Sequence, residues 1–303
     1  MKERISEVKR VLTNMRQAFL ILAHKNIVQL NKLIEQIDND RTDIIIHIDS
    51  KTPKFEVTNV SKSRVFMIPS MRTNWGGYSL VECELRLIEK ALKINDYSFI
   101  HLLSGQDLLI KPIDHILSFF DEHIDYNFVH FDKPEDSLKR NERIKYYYLF
   151  QEYKNRSRKT IWSVLDRGII EIQKRIGIDR RRHFQGEFKA GSQWWSIKQD
   201  LAEYIVSKRD YIKKHFMFTM SDEMFVQTLV YNSPFYDTLF MGELNDQHAN
   251  QRLIDFERGH PYLWTIKDVE EIMRSDLLFA RKFDEVIDSE VIDVITKFCT
   301  NIV

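Results

Sequence analysis

The alternation of short apolar runs with segments of helical spacing constrains this chain most. Ala18–Ala23 (AFLILA) reads as a buried strand and Ile27–Ile37 as a helix. Asp43–Ile48 (DIIIHI) is a second β-branched run, Arg64–Ile68 a short third strand, Leu80–Leu92 a helix and Tyr97–Leu103 (YSFIHLL) another strand. This β-α-β-α order predicts an α/β fold around a mainly parallel, Rossmann-like sheet flanked by helices. Sheets of this kind bind ligands beyond the carboxyl ends of their strands. Two polar clusters fall there: His47-Ile48-Asp49-Ser50-Lys51 and Ser104-Gly105-Gln106-Asp107.

The chain has 303 residues, 43% of them hydrophobic, enough for one large unit or two closely joined halves. No linker, repeat or low-complexity stretch divides it, so residues 1–303 read as a single domain. The formal net charge of zero argues against a nucleic-acid binder. The 12% of aromatic residues suits sugar platforms and an aromatic core equally. Two cysteines, Cys83 and Cys299, are too few for a disulfide framework and suit a reducing compartment. No window reaches the roughly 20 apolar residues of a membrane span, and Met1–Arg10 lacks the apolar stretch of a signal peptide. The expected location is the cytoplasm, with peripheral contact at the inner face of the cell membrane. Residues 1–14 read as a dispensable helical extension ahead of a second possible start at Met15.

From Lys139 to Arg182 there are 14 Lys and Arg against 5 Asp and Glu, with almost no strand signal. This segment reads either as a solvated helical insertion or as a surface for anionic lipid or a lipid-linked acceptor. Gly191–Ile197 reads as a loop entering a strand, and Gln199–Lys214 and Asp222–Tyr231 as helices. The tail Asp268–Asp293 carries 9 acidic and 3 basic residues and could complement the basic segment.

Ser221-Asp222-Glu223 makes a good helix start, with Ser at the N-cap and two carboxylates facing the positive dipole end. It also offers a general base, since a hydroxyl nucleophile needs a carboxylate within hydrogen-bond reach to take its proton. A departing nucleoside diphosphate would need its charge stabilised. The only Asp-x-Asp, Asp38-Asn39-Asp40, follows a helix pattern and precedes a strand, which misplaces it for holding a metal there. After the strand ending at Leu103 the cluster offers one carboxylate, Asp107. Cations can take the same role, and Arg258 and the pair Arg281-Lys282 are candidates. Trp194 and Trp195 are adjacent and face opposite sides of a strand, one toward the core and one free to stack on a sugar.

Six stretches, in one order, carry a resemblance: His47-Ile48-Asp49-Ser50-Lys51, Trp75-Gly76-Gly77-Tyr78-Ser79, Leu102-Leu103-Ser104-Gly105-Gln106-Asp107 with Lys111-Pro112, Gly191-Ser192-Gln193-Trp194-Trp195, Ser221-Asp222-Glu223-Met224-Phe225, and Leu278-Phe279-Ala280-Arg281-Lys282-Phe283-Asp284. With them the chain resembles the core-2/I-branching β-1,6-N-acetylglucosaminyltransferases, a family that includes the peptide O-xylosyltransferases. The resemblance implies a modified GT-A fold and an inverting glycosyltransferase that needs neither metal nor cofactor. It implies Glu223 as catalytic base, and Arg258 and Lys282 as partners of the donor diphosphate. Asp49, Trp75 and Gly76 fall at the nucleotide, and Gly105 and Asp107 at the donor sugar. Trp194, Trp195, Glu142 and Arg143 are the acceptor candidates.

Residues of about 18–135 become the nucleotide-sugar half, 136–188 the basic insertion and 189–290 the acceptor and catalytic half. Animal members carry a membrane anchor and several disulfides, so a bacterial-type soluble member is expected, acting in surface polysaccharide synthesis. The stretch Asp255-Phe256-Glu257, where galactose-binding members carry an aromatic acceptor platform, is shortened, which implies a different acceptor. The implied partners are a UDP-sugar, N-acetylglucosamine first, and an oligosaccharide or lipid-linked glycan. The competing readings are a xylosyl- or other hexosyltransferase and a non-catalytic nucleotide-sugar or carbohydrate binder.

Overall fold

The computed structural model describes residues 15–53, 56–58, 60–154, 160–240 and 245–300. The extension expected over residues 1–14 lies outside them. The chain begins with β1 (Gln17–Ala23), α1 (Ile27–Ile37), β2 (Thr42–Ile48), β3 (Arg64–Met67), α2 (Tyr78–Ile94) and β4 (Ile100–Ser104). It continues through β5 (Asp107–Leu109), α3 (Ile113–Glu122) and β6 (Phe128–Phe131). The insertion then supplies α4 (Pro134–Arg140), α5 (Glu142–Lys145) and α6 (Ile161–Arg175). The last part is β7 (Gly191–Ile197), α7 (Gln199–Ser207), α8 (Arg209–Phe216), α9 (Phe225–Tyr231), β8 (Arg252–Ile254), α10 (Val269–Arg274), β9 (Phe279–Arg281) and α11 (Ser289–Thr300).

The main sheet has the order β3-β2-β1-β4-β7-β6. β3, β2, β1 and β4 run parallel, and β7 is antiparallel to both β4 and β6. This mixed α/β architecture, a largely parallel sheet flanked by helices, is GT-A-like. β1 is buried along its whole length and alternates between two cores. Ala18, Leu20 and Leu22 pack with α2 and α7 to α9, whereas Phe19, Ile21 and Ala23 pack with α1, α3 and α11. The α1 stripe of Leu30, Leu33, Ile34 and Ile37 is fully buried, as its spacing demands.

A small second sheet, β5-β9-β8, adjoins the first. Buried Arg252 of β8 joins the two by donating from Nη2 to the Trp195 carbonyl (2.8 Å) and Ser196 Oγ (3.0 Å) of β7. Strand order reverses direction between β1 and β4, and it is beside such a switch that open α/β sheets leave a ligand crevice.

Three local expectations need correction. The helix expected over Gln199–Lys214 breaks at Lys208 into α7 and α8. β7 is strand from Gly191 onward, with no leading loop. The acidic tail does not serve the basic insertion: Asp268 and Glu271 pair with Arg258, Asp284 with Lys25, and Asp293 with Lys32. The acids of the insertion are taken up locally, in Lys139–Asp136, Lys145–Glu142, Lys154–Asp166, Lys174–Glu171 and Arg181–Asp179, which leaves its basic excess in place. Among the described residues no helix is long and apolar enough to cross a membrane.

Candidate active site

A cleft of about 290 Å³ opens at the carboxyl ends of β1, β2 and β4, where the two polar clusters of the sequence come together. Asp49, just past β2, is buried. Its Oδ1 accepts from Lys51 N (2.8 Å), and its Oδ2 accepts from Thr73 N (3.1 Å) and Thr73 Oγ1 (2.6 Å). Burial opposes ionisation of Asp49, but these hydrogen bonds outweigh it and hold the carboxyl below its usual range. His47 Nε2 accepts from Met71 N at 3.1 Å. Together the two side chains fasten the loop that carries Trp75, which stands 41% exposed on the cleft wall.

The two glycines after Trp75 have a steric reason. Gly76 has φ +69°, a left-handed conformation, and a Cβ there would lie 2.9 Å from Gln151 Nε2. A Cβ on Gly77 would lie 2.6 Å from the Glu152 carboxylate. Gln151 Nε2 donates to the Trp75 carbonyl (3.0 Å), and Glu152 accepts from Ser79 N (2.8 Å) and Oγ (2.7 Å) at the start of α2. The insertion is thereby fastened to the rim of the cleft.

The opposite wall is cationic. In the antiparallel pairing of β5 and β9, Asp107 faces Arg281. Arg281 Nη1 meets Asp107 Oδ1 at 2.6 Å, and Asp107 Oδ2 accepts from Ser104 N at 2.8 Å. The Arg281 guanidinium also lies 4.4 Å from the centroid of the Trp194 ring. Lys282 follows on the same wall, its carbonyl accepting from Trp264 N at 3.0 Å. His24, at the end of β1, records the resulting field. Burial, then Lys25, Lys282 and Arg281, push its imidazole down to about 4, so it is neutral at physiological pH.

Glu223 lies beside the first residue of β7. Gly191 N donates to its carbonyl at 3.0 Å. Its side chain is 27% exposed, and Oε2 accepts from Arg140 Nη1 (2.8 Å) and Arg143 Nη1 (2.7 Å). Arg140 Nε also meets Asp132 Oδ2 at 2.9 Å. From Gly191 the strand advances to Gln193 and Trp194, both on the cleft wall. At about 3.3 Å per residue, Glu223 and the cationic wall are thus linked by about 10 Å of one strand. Beneath it, burial and then the Glu223 charge push Asp222 up to about 6, against Arg143. Glu84 is fully buried and pushed well above the carboxylate range by burial, while its Oε1 accepts from Gln193 Nε2 at 2.7 Å.

A family model, Core-2/I-Branching enzyme, matches residues 17–275. The chain belongs to the Core-2/I-Branching enzyme family. It is 26% identical over 301 residues to Xylosyltransferase 1 of Homo sapiens, covering 91% of this chain and 30% of that protein. It is 24% identical over 306 residues to Xylosyltransferase 2 of Canis lupus familiaris, covering 92% and 33%. Xylosyltransferase sqv-6 of Caenorhabditis briggsae is 25% identical over 268 residues, covering 81% and 30%. The chain therefore spans about a third of the length of these relatives.

In this Core-2/I-Branching chain, the structure brings Asp49, Trp75, Trp194 and Lys282 to one cleft, with Asp107 behind Arg281 and Gly105 between two lining residues. A Cβ on Gly105 would come within 3.3 Å of the Ala23 Cβ. Arg258 does not line this cleft but packs next to it, on Tyr262 and Trp264, whose backbones pair with that of Lys282. It is held by Asp255, Asp268 and Glu271, over the Tyr262 and Trp264 rings, while Arg281 and Lys282 line the cleft itself.

Trp195 is fully buried, so of the tryptophan pair Trp194 faces the cleft. Arg143 reaches Glu223, whereas Glu142 turns outward to Lys145 at 3.2 Å. Ser221 is not a cap: its buried Oγ donates back to the Phe216 carbonyl (3.3 Å), and α9 begins only at Phe225. Sequence reasoning missed Arg140, Asp132, His24 and Gln193. The i, i+3 spacing of Arg140 and Arg143 was the one available signal. Asp38-Asn39-Asp40 lies at the opposite end of β2 from the cleft, where Asp38 accepts from Ser61, Lys62 and Ser63. Among the described residues no group of three His, Cys, Asp or Glu side chains is placed to hold a metal ion.

Proposed function

We propose that this chain is an inverting glycosyltransferase that moves a sugar from a nucleoside diphosphate to a glycan hydroxyl without a metal. One observation carries the reading: Arg281 and Lys282 line a cleft at the strand ends, one short strand away from a carboxylate held by two arginines. The diphosphate lies against Arg281 and Lys282, with the base near Trp75 and Asp49. The acceptor oxygen attacks the anomeric carbon from the face opposite the diphosphate and forms the new C–O bond. The bond from that carbon to the diphosphate oxygen breaks, its electron pair leaves with the diphosphate, and Arg281 and Lys282 stabilise the charge. The hydroxyl proton passes to Glu223. Arg140 and Arg143 both engage Oε2, which directs Oε1 to the acceptor.

The acceptor enters through a neighbouring cavity of about 440 Å³, lined by Phe131, Asp132, Tyr231 and Tyr236 and tied to Glu223 through the shared Arg140. UDP-N-acetylglucosamine is the first donor to test, in a surface-polysaccharide setting. The xylosyltransferase names of the relatives favour UDP-xylose as the second. In Glu223→Gln, turnover should fall by about 10²–10⁴-fold while UDP binding stays at the wild-type level. Near-normal turnover removes Glu223 from the base role. Loss of wild-type activity in excess chelator would end the metal-free reading.

A further inference from the structure

Helix α6 is turned the wrong way round for a helix of a globular core. At its 100° per residue, Ile161, Val164, Leu165, Gly168 and Ile172 share one face, continued by Ile176 just beyond its end. That face points outward: Ile161 is 69%, Val164 59%, Leu165 42%, Ile172 58% and Ile176 67% exposed. A Cβ on Gly168 would meet nothing within 4 Å. The inward face is mixed: Ile169 and Ile170 are half-buried there, and Trp162 packs against Phe150 (5.1 Å) and Tyr153 (5.3 Å). Asp166 and Gln173 are its buried residues. Asp166 accepts from Phe150 N (3.1 Å) and pairs with Lys154 (2.6 Å), while Gln173 exchanges two hydrogen bonds with the Tyr147 backbone (2.8 and 3.0 Å). Polar anchors and the Trp162 ring contacts hold this side down, while the stripe of Ile161, Val164, Leu165, Ile172 and Ile176 stays exposed. Contiguous exposed apolar surface of this kind marks an interaction site.

The charge around the stripe selects the partner. Arg175 is exposed within the stripe, between Val164 and Gly168, Arg167 and Lys174 are exposed to one side of it, and Glu171 at that edge is taken up by Lys174 at 2.7 Å. The surrounding segment Lys139–Arg182 carries nine more basic than acidic residues. A second copy of the same surface would bring like charges together. An anionic bilayer surface satisfies both features, apolar residues entering the acyl boundary and cations meeting headgroups. We propose that α6 docks this chain on an anionic lipid bilayer, lying in the interface with Ile161, Val164, Leu165, Ile172 and Ile176 inserted. This inference is independent of the catalytic reading, since none of these residues lines the cleft or touches Glu223.

The test is co-sedimentation of the full chain with vesicles of phosphatidylcholine alone or with about 30% phosphatidylglycerol. The expected result is binding to the anionic vesicles only, weakened about tenfold or more by Ile172→Glu and by Ile161→Glu, and weakened by Arg167→Glu. Both isoleucines are exposed, so the variants should keep the circular dichroism and UDP affinity of the parent. A double variant, Ile161→Ser with Ile172→Ser, tests the stripe without added charge. Absence of binding to anionic vesicles overturns the proposal. So does binding that the isoleucine variants leave unchanged, which would reduce the surface to its charge. A wild-type dimer in sedimentation velocity that Ile172→Glu converts to monomer would overturn it in favour of a second copy. UDP binding and Glu223→Gln turnover, measured on the same proteins, report separately on the catalytic reading.

Discussion

Helices α1 and α6 have the same kind of sequence and opposite orientations. Each places apolar residues at helical spacing along one face. In α1 that face, Leu30, Leu33, Ile34 and Ile37, is buried against β1, β2 and α11. In α6 the corresponding stripe is exposed, and Asp166 and Gln173 are the buried residues. Periodicity tells where the two faces are, but the partners decide which one turns inward. For α1 the partner is an apolar sheet. For α6 the partners include Lys154 and the backbone of residues 147 and 150, groups that reward a carboxylate and an amide, beside the Phe150 and Tyr153 rings that meet Trp162.

The contrast can be broken at either end. Leu33→Asp should cost about 4 kcal/mol or more, because it opens a cavity and buries an unpaired carboxylate, and it should show as a large loss in denaturation midpoint. Asp166→Ala should cost about 3 kcal/mol, since Lys154 loses its buried partner. The loss should appear first as rapid amide exchange within α6. If Asp166→Ala is as harmless as a surface change, polar anchoring does not hold the helix.

A smaller effect belongs to a buried acid beside another carboxylate. Asp222 is pushed up to about 6, so the folded state binds a proton that the unfolded state releases near the ordinary aspartate value of 3.8. Stability should therefore fall as pH rises through this window, and Asp222→Asn should flatten that fall in urea titrations. Smallest of all, Ile172→Asp should shift stability by no more than about 0.5 kcal/mol. It is the same type of substitution as Leu33→Asp, made on the stripe that faces out, and a cost near that of Leu33→Asp would show that α6 is covered after all.

The sheet was legible because its strands are apolar on both faces. The expected runs fall within a few residues of β1, β2, β3 and β4, and α1 has the expected bounds. Six local motifs marked Asp49, Trp75, Asp107, Trp194, Glu223 and Lys282, and each carries its identity in its immediate neighbours. What stayed hidden depends on distance along the chain. Arg140 meets Glu223 across 83 residues, and Gln193 meets Glu84 across 109. Ser221 looked like a cap because its own sequence neighbourhood permits one, yet its hydroxyl finds the end of α8 instead. The sequence could not show that three carboxylates, Asp255, Asp268 and Glu271, hold Arg258 on the rings of Tyr262 and Trp264. The outward face of α6 could not be read at all, because its polarity is set by an inward surface the pattern does not encode.

The fastening of the insertion to the cleft rim sets a condition on modularity. Gln151 and Glu152 reach the Trp75 carbonyl and the Ser79 amide only because Gly76 and Gly77 leave no side chain in the way. A graft that moves the insertion into a related scaffold must therefore bring a Gly-Gly-x-Ser acceptor with it, from a part of the chain more than 70 residues upstream. The insertion and the Trp75 loop are then inherited together, and a chimera that exchanges one without the other would carry the new insertion as an undocked appendage.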